Sequence, residues 1–383
     1  MQVQRDGAHR DADLVGRSPL RRLARLRPTR APLLAAALTA ACSAVPAASG
    51  SSPIAQPVVL TGPLADATTG GAALQGSATT GGTSGGGSPA TPAPGAAPRR
   101  AGILLSSVSV GQNPRGLALD LQGRVWVAVA GTGAIARIDG TRVAQQISAP
   151  GAEDLAFDAG GRAWVAAGGG LFGFDASGSA LQGAAGSGAE AVVASGEFVY
   201  AAFPKEGAIR RYAVTKAGLS AAFTLPGSSG TPRDLLMDRS GRLWAALGEA
   251  NQVARYDAPA ATPSAPVLIG NAGGEPRGLA EDGSGRVLAI GNSTVVAVSG
   301  ATPKVLVQNS LLSGAFRLAP DPSGTLWAPA NSANRLVGIK RDGTLLPDPP
   351  AGLAGPWDAV VDRSGDVWVS NDAGGTVIRF KGS

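Results

Sequence analysis

The chain has 383 residues, enough for one large domain or two ordinary ones, with 56 Gly, one Cys and one His. Its formal charge of +6 points to a nucleic acid or an anionic surface, but the charge is unevenly placed: residues 1–41 hold eight Arg against three acidic residues, and residues 101–383 hold 23 basic against 23 acidic. The basic excess belongs to the leader, which removes nucleic acid as an expected partner, and a single cysteine excludes an intramolecular disulfide.

Residues 1–30 are polar and Arg-rich, and the run APLLAAALTAAC extends from Ala31 to Cys42. That run has the length of a signal-peptide apolar region and is too short to span a bilayer. The segment LTAAC resembles a bacterial lipobox, with Ala40 and Ala41 before Cys42, although Thr39 stands where that motif usually has Leu. The resemblance implies lipidation at Cys42. Cleavage after Ala47, behind Val45 and Pro46, is the competing reading. Residues 1–42 are therefore read as an export signal of lipoprotein type. They imply a protein of the bacterial envelope, periplasm or cell surface, touching the membrane only through its anchor. His9 lies in this leader, so the mature chain would contain no histidine. Residues 43–100 are almost all Ser, Gly, Ala, Thr and Pro. They carry too little apolar area to offset the entropy of ordering, and read as a disordered linker that tethers the C-terminal part of the chain.

From Asn113 the chain repeats itself. The copies include NPRGLALDLQGRVWVAV, GAEDLAFDAGGRAWVAA, TPRDLLMDRSGRLWAAL, EPRGLAEDGSGRVLAIG, GAFRLAPDPSGTLWAPA and GPWDAVVDRSGDVWVSN, with a degenerate third copy, GAEAVVASGEFVYAAF. The shared core is Asp-x-x-Gly-x-x-Trp. The Trp position is filled by Trp126, Trp164, Val199, Trp244, Leu288, Trp327 and Trp368, at spacings of 38, 35, 45, 44, 39 and 41. A period of about 40 fits four short strands and their turns. Helical repeats share this period, but dense Gly, Pro and Asp punctuation and β-rich runs such as RVWVAVA exclude them. Each repeat reads as inner strand, Asp-x-x-Gly turn, apolar second strand, third strand and a variable outer strand. The run ILLSSVSV, residues 103–110, should supply the outer strand that the last repeat lacks after TVIRFKGS. Such closure removes both sheet edges. The expected fold is all-β: residues 101–383 form a seven-bladed β-propeller closed by an N-terminal strand, expected to be a monomer.

The run PRGLALDLQGRVWVAVAGTGAIARIDG and its six weaker copies resemble the propellers of the streptogramin (virginiamycin B) lyase and NHL-repeat group, over roughly residues 103–383. The resemblance implies architecture. The lyases use a histidine beside an acidic residue and a divalent metal, and a mature chain without histidine has nothing at those positions. Gluconolactonase-type propellers hold their metal with carboxylates and Asn, so a hydrolase or lyase-like enzyme with carboxylate ligands to a divalent cation is the alternative to a non-catalytic binding scaffold.

The start of each inner strand contributes one residue to the face where ligands meet a propeller's channel. That register gives Arg115, Glu153, Glu190, Arg233, Arg277, Phe316 and Trp357, and the next gives Gly116, Asp154, Ala191, Asp234, Gly278, Arg317 and Asp358. The repeats agree in their cores and disagree here, the pattern a grafted binding site leaves; charges pairing across the channel would leave it too. If a metal is held, Glu153 and Glu190 on adjacent blades are its first candidates, with Asp154, Asp234 and Asp358 needed to converge. Asn251, Asn331, Asn334, Asn371 and Asp372 lie in loops on the same face and suit turns. The repeated aspartates Asp120, Asp158, Asp238, Asp282, Asp321 and Asp362 are spread one per blade and cannot share one ion. Catalytic residues and cofactors are expected to be none. The expected partner is a protein or glycan at the rim.

Overall fold

A computed structural model describes residues 102–383, apart from 228, 229, 262, 301, 348, 349 and 351. The segments expected to be an export signal and a linker, residues 1–42 with Cys42 and residues 43–100, lie outside the described residues. The described residues form seven blades in chain order. Blade 1 runs outward through Pro114–Leu119, Val125–Val129, Ala134–Asp139 and Arg142–Ser148, each strand antiparallel to the last. Blades 2 and 3 begin at Ala152–Phe157 and Ala191–Ser195, blades 4 and 5 at Pro232–Met237 and Gly278–Glu281, and blades 6 and 7 at Ala319–Pro320 and Pro356–Val361. The ring closes as the sequence implies. Leu104–Ser109 pairs antiparallel with Thr376–Phe380, with Val108 opposite Val377.

The Asp-x-x-Gly turn does more than reverse the chain. In blade 2 the Asp158 carbonyl accepts from Gly161 N–H at 2.9 Å, and its Oδ1 accepts from the N–H groups of Gly160 and Arg162. Its Oδ2 receives Arg162 Nε at 2.7 Å and the indole Nε1 of Trp164 at 3.0 Å. The same aspartate-to-indole bond joins Asp120 to Trp126, Asp238 to Trp244, Asp321 to Trp327 and Asp362 to Trp368, at 2.8 to 3.0 Å. A buried indole N–H needs a partner, and the turn six residues earlier supplies it. Each tryptophan then packs into the core it shares with the next blade: Trp164 with Val192 and Val199, Trp244 with Leu279 and Val287. Burying one such ring contributes about 5 kcal/mol on area alone.

Two departures from the expected four strands per blade have local causes. Among the described residues blade 6 has three strands, and its outer position shows one bridge between Ile339 and Leu345. Pro347 and Pro350, which follow, lack the N–H a ladder needs. In blade 3 the outer strand shrinks to Phe223–Thr224, and the extra pair Gly218–Leu219 reaches across to Ala180–Ala185 of blade 2, joining the two sheets.

Candidate functional site

The seven residues of the first inner-strand register line one cavity of about 260 Å³, together with Gly168, Gly188, Ala189, Lys205 and Arg317. Every blade contributes to its wall, so the cavity lies on the ring axis. Neighbouring side chains grip one another in order around it. Arg277 of blade 5 lies over the Phe316 ring at 5.4 Å, Phe316 meets Trp357 at 4.7 Å between centroids, and Trp357 is covered by Arg115 at 4.4 Å. Arg115 donates to Glu153 at 2.7 Å, and Arg233 donates to both oxygens of Glu190 at 3.0 and 3.1 Å.

This chain of contacts has two like-charge joints. Glu153 of blade 2 and Glu190 of blade 3 repel each other; burial lifts the Glu153 carboxyl, with Arg115 opposing and Glu190 and Asp372 adding to the rise. Arg233 and Arg277 stand on adjacent blades. Glu190 already holds Arg233, whereas among the described residues the ion-pair partner of Arg277 is Glu275 at 3.5 Å, both more than 40% exposed. Lys205, from the loop after the second strand of blade 3, has no ion pair among the described residues.

The second register forms the floor, and it closes the ring. Asp154 Oδ2 accepts from Val192 N–H of blade 3 at 3.1 Å, Asp234 Oδ2 from Leu279 N–H of blade 5 at 2.7 Å, and Asp358 Oδ2 from Leu117 N–H of blade 1 at 2.8 Å. Each aspartate thus clamps the inner strand of the next blade around the ring. The alternating small residues make room for this. A Cβ on Gly116 would sit 2.7 Å from Asp154 Oδ1, and one on Gly278 would sit 2.2 Å from the Phe316 carbonyl. Arg317 of blade 6 reaches Asp234 Oδ1 at 3.1 Å and the Arg277 carbonyl at 3.1 Å.

One guanidinium faces three carboxylates, two buried and one part-buried, and it can neutralise one of them. Burial pushes Asp234 up to about 6, opposed by Arg317 and aided by Asp154. Burial likewise pushes Asp358 up to about 7, again opposed by Arg317, and raises Asp154. Arg317 is held charged, its burial cost outweighed by Asp234, Asp154 and Asp358.

Asp154, Asp234 and Asp358 are therefore spent on backbone N–H groups and Arg317, not gathered with Glu153 and Glu190. Among the described residues no three His, Cys, Asp or Glu side chains are grouped to hold a metal ion. The loop asparagines tie separate segments of that face together: Asn251 accepts from Gly274 N–H, Asn334 from Gly355 N–H and Asn371 from Ala354 N–H, while Asp372 stands 3.9 Å from Arg115. Two charged residues of the cavity lie outside the first register: Lys205, which neither register contains, and Arg317 of the second. Lys205 lies in a loop outside any repeat position. Arg317 was visible as the one cation in a register otherwise of Gly, Ala and Asp.

The sequence matches no family model and no curated protein. Solved structures do resemble it. A streptogramin B lyase aligns with TM-score 0.62 at 14% identity, covering 73% of this chain and 96% of that one. The β-propeller domain of Cps50 (Swd1) from Myceliophteria thermophila aligns with TM-score 0.61 at 13% identity, covering 73% and 99%. The WD40 repeats of RRP9 align with TM-score 0.58 at 11% identity, covering 74% and 99%. At these identities the likeness establishes the β-propeller fold and repeat architecture alone.

Proposed function

We propose that the chain is an exported, lipid-anchored propeller whose axial cavity binds a protein or glycan partner without transforming it. The observation that carries this reading is the cavity: seven blades built to one plan present seven side chains at one register, and these differ in chemistry from blade to blade. A wall meant only to close a channel needs bulk and paired charge. This wall also presents an aromatic pair and a cationic arc whose Arg277 and Lys205 carry little or no counter-charge. Export and the anchor at Cys42 rest on the leader sequence, and a long Gly/Ser-rich tether suits a domain held off a membrane surface.

Binding is favoured over catalysis because the acids that could act as base or metal ligand are engaged. Glu153 and Glu190 are each held by an arginine, and the three aspartates of the floor bind backbone. A general base must reach the proton it takes, and these are turned to structural donors. The propeller neighbours include both a lyase and WD40 proteins, so the fold itself is neutral on this point.

The test is capture of partners from an envelope extract by the full chain, wild type against an Arg233, Phe316 and Trp357 triple alanine variant with an unchanged circular dichroism spectrum. A partner held by the wild type should be lost by the variant. A partner retained equally by both would remove the cavity from the binding reading.

A further inference from the structure

Taking the cavity as a binding site, we propose that its ligand is an acidic sugar unit: one pyranose ring bearing a carboxylate, as in a uronate residue of an envelope polysaccharide. Three features fix the class. The first is charge. Lys205, Arg233 and Arg277 come from the consecutive blades 3, 4 and 5 and form one arc of the wall. Arg233 is committed to Glu190, but Lys205 has no ion pair among the described residues and Arg277 has one weak pair at 3.5 Å. That arc holds three cations against one cavity-lining carboxylate, Glu190, which Arg233 already occupies, and a guanidinium fork such as that of Arg277 suits a planar carboxylate.

The second feature is the wall beside the arc. Phe316 and Trp357 meet at 46° between ring planes, each with an arginine over one face, and the aromatic surface that still borders the cavity suits the C–H face of a sugar ring. The third is the stretch of wall from blade 1 to blade 4, overlapping the arc, where Arg115 with Glu153 and Arg233 with Glu190 set donors and acceptors side by side. A hydroxyl both donates and accepts, so vicinal hydroxyls match this alternation. An acidic peptide side chain would satisfy the cationic arc but would not use the lone pairs that Glu153 and Glu190 keep beside their arginine partners. The size agrees: about 260 Å³ lies just under the common range for small-molecule pockets, roughly 300–1,000 Å³. It admits one ring of a chain that continues out along the axis.

The experiment is titration calorimetry of the full chain with digalacturonate, with the neutral disaccharide cellobiose, and with an Asp/Glu-rich peptide of similar charge. Digalacturonate should bind saturably and at least tenfold more tightly than cellobiose, and the preference should shrink as salt rises. Lys205→Ala removes an exposed, unpaired ammonium and cannot unfold the ring; it should weaken digalacturonate by several-fold and leave cellobiose unchanged. Arg277→Ala should weaken it by tenfold or more, and Arg277→Lys by less. No saturable uronate binding, equal affinity for cellobiose, or indifference to both substitutions would overturn the inference. Cavity-dependent binding of the peptide in place of the uronate would overturn it too, while leaving the binding reading intact. That broader reading fails separately, when the triple rim variant captures the same partners as wild type.

Discussion

Two sets of aspartates in this ring, one at the turns and one at the axis, meet opposite fates. At the turns of Asp120, Asp238, Asp282 and Asp321, burial works against the charged form, but the donors win. Asp282 is drawn down to about 2, because Ser284, Arg286 and two backbone N–H groups outweigh its desolvation. Asp120 and Asp238 are lowered in the same way, with their tryptophan indoles foremost among the donors. At the axis, three carboxylates share one guanidinium, burial dominates, and Asp358 rises to about 7. Repetition explains the contrast. A turn that carries its own arginine four residues on, as at Arg124, Arg162, Arg242 and Arg286, balances its charge within its own blade. The axis is the one place where all blades meet, so their charges add.

The largest effect should come from the repeated set. Trp164→Ala empties a fully buried site and should cost about 3–5 kcal/mol in denaturant unfolding. A loss below about 1 kcal/mol would contradict the interblade packing described. Asp158→Ala keeps the ring but leaves the buried Trp164 indole without its acceptor, and should cost about 1–3 kcal/mol. If Asp158→Ala equalled Trp164→Ala, the turn rather than the ring would be the dominant element.

The axial set predicts a pH dependence of defined sign. Asp234 and Asp358 have folded-state values near 6 and 7 against an ordinary 3.8, so the folded protein holds more protons than the unfolded chain. Their unfavourable contribution is absent below pH 4 and complete above about pH 7, so stability should fall as pH rises through that window. Asp282, lowered to about 2, acts oppositely: its contribution is present above pH 4 and lost as pH falls toward 2. The thermal midpoint should therefore peak near pH 4–5. Asp358→Asn should flatten the descent between pH 5 and 7; an unchanged slope would mean that the axial carboxylates are not the cause.

The smallest effect belongs to the rim. Arg277→Ala breaks a weak, exposed ion pair and the contact over the Phe316 ring, and should shift stability by no more than about 1 kcal/mol. A larger loss would mean that the rim closes the channel structurally rather than standing free to bind.

What the sequence disclosed obeys the same division. Period, turn and closure were legible because each is written in local residues: Asp-x-x-Gly sets a hairpin, and 103–110 has strand alternation with no partner of its own. The rim register was legible because seven copies align on it. The blade-to-blade clamps were not, since the reach of Asp154 to Val192 N–H depends on where the next strand starts. The arginine of the turn was in plain view in four repeats, yet its bond to the aspartate that holds Trp requires three dimensions. Lys205 sits in the loop of the degenerate repeat, where no alignment of copies could pick it out.

The central claim is that a repeated scaffold carries a non-repeated binding cavity on its axis. It is tested most directly by the thermal midpoint of the full chain, wild type and Arg277/Phe316/Trp357 triple alanine, against saccharide, peptide and divalent-cation panels. The account predicts a saturable rise with an organic ligand, about 2.7 kcal/mol at 100 times its dissociation constant, that disappears in the variant. A rise produced by calcium, magnesium, manganese or zinc alone, or a ligand shift that survives the variant, would contradict it.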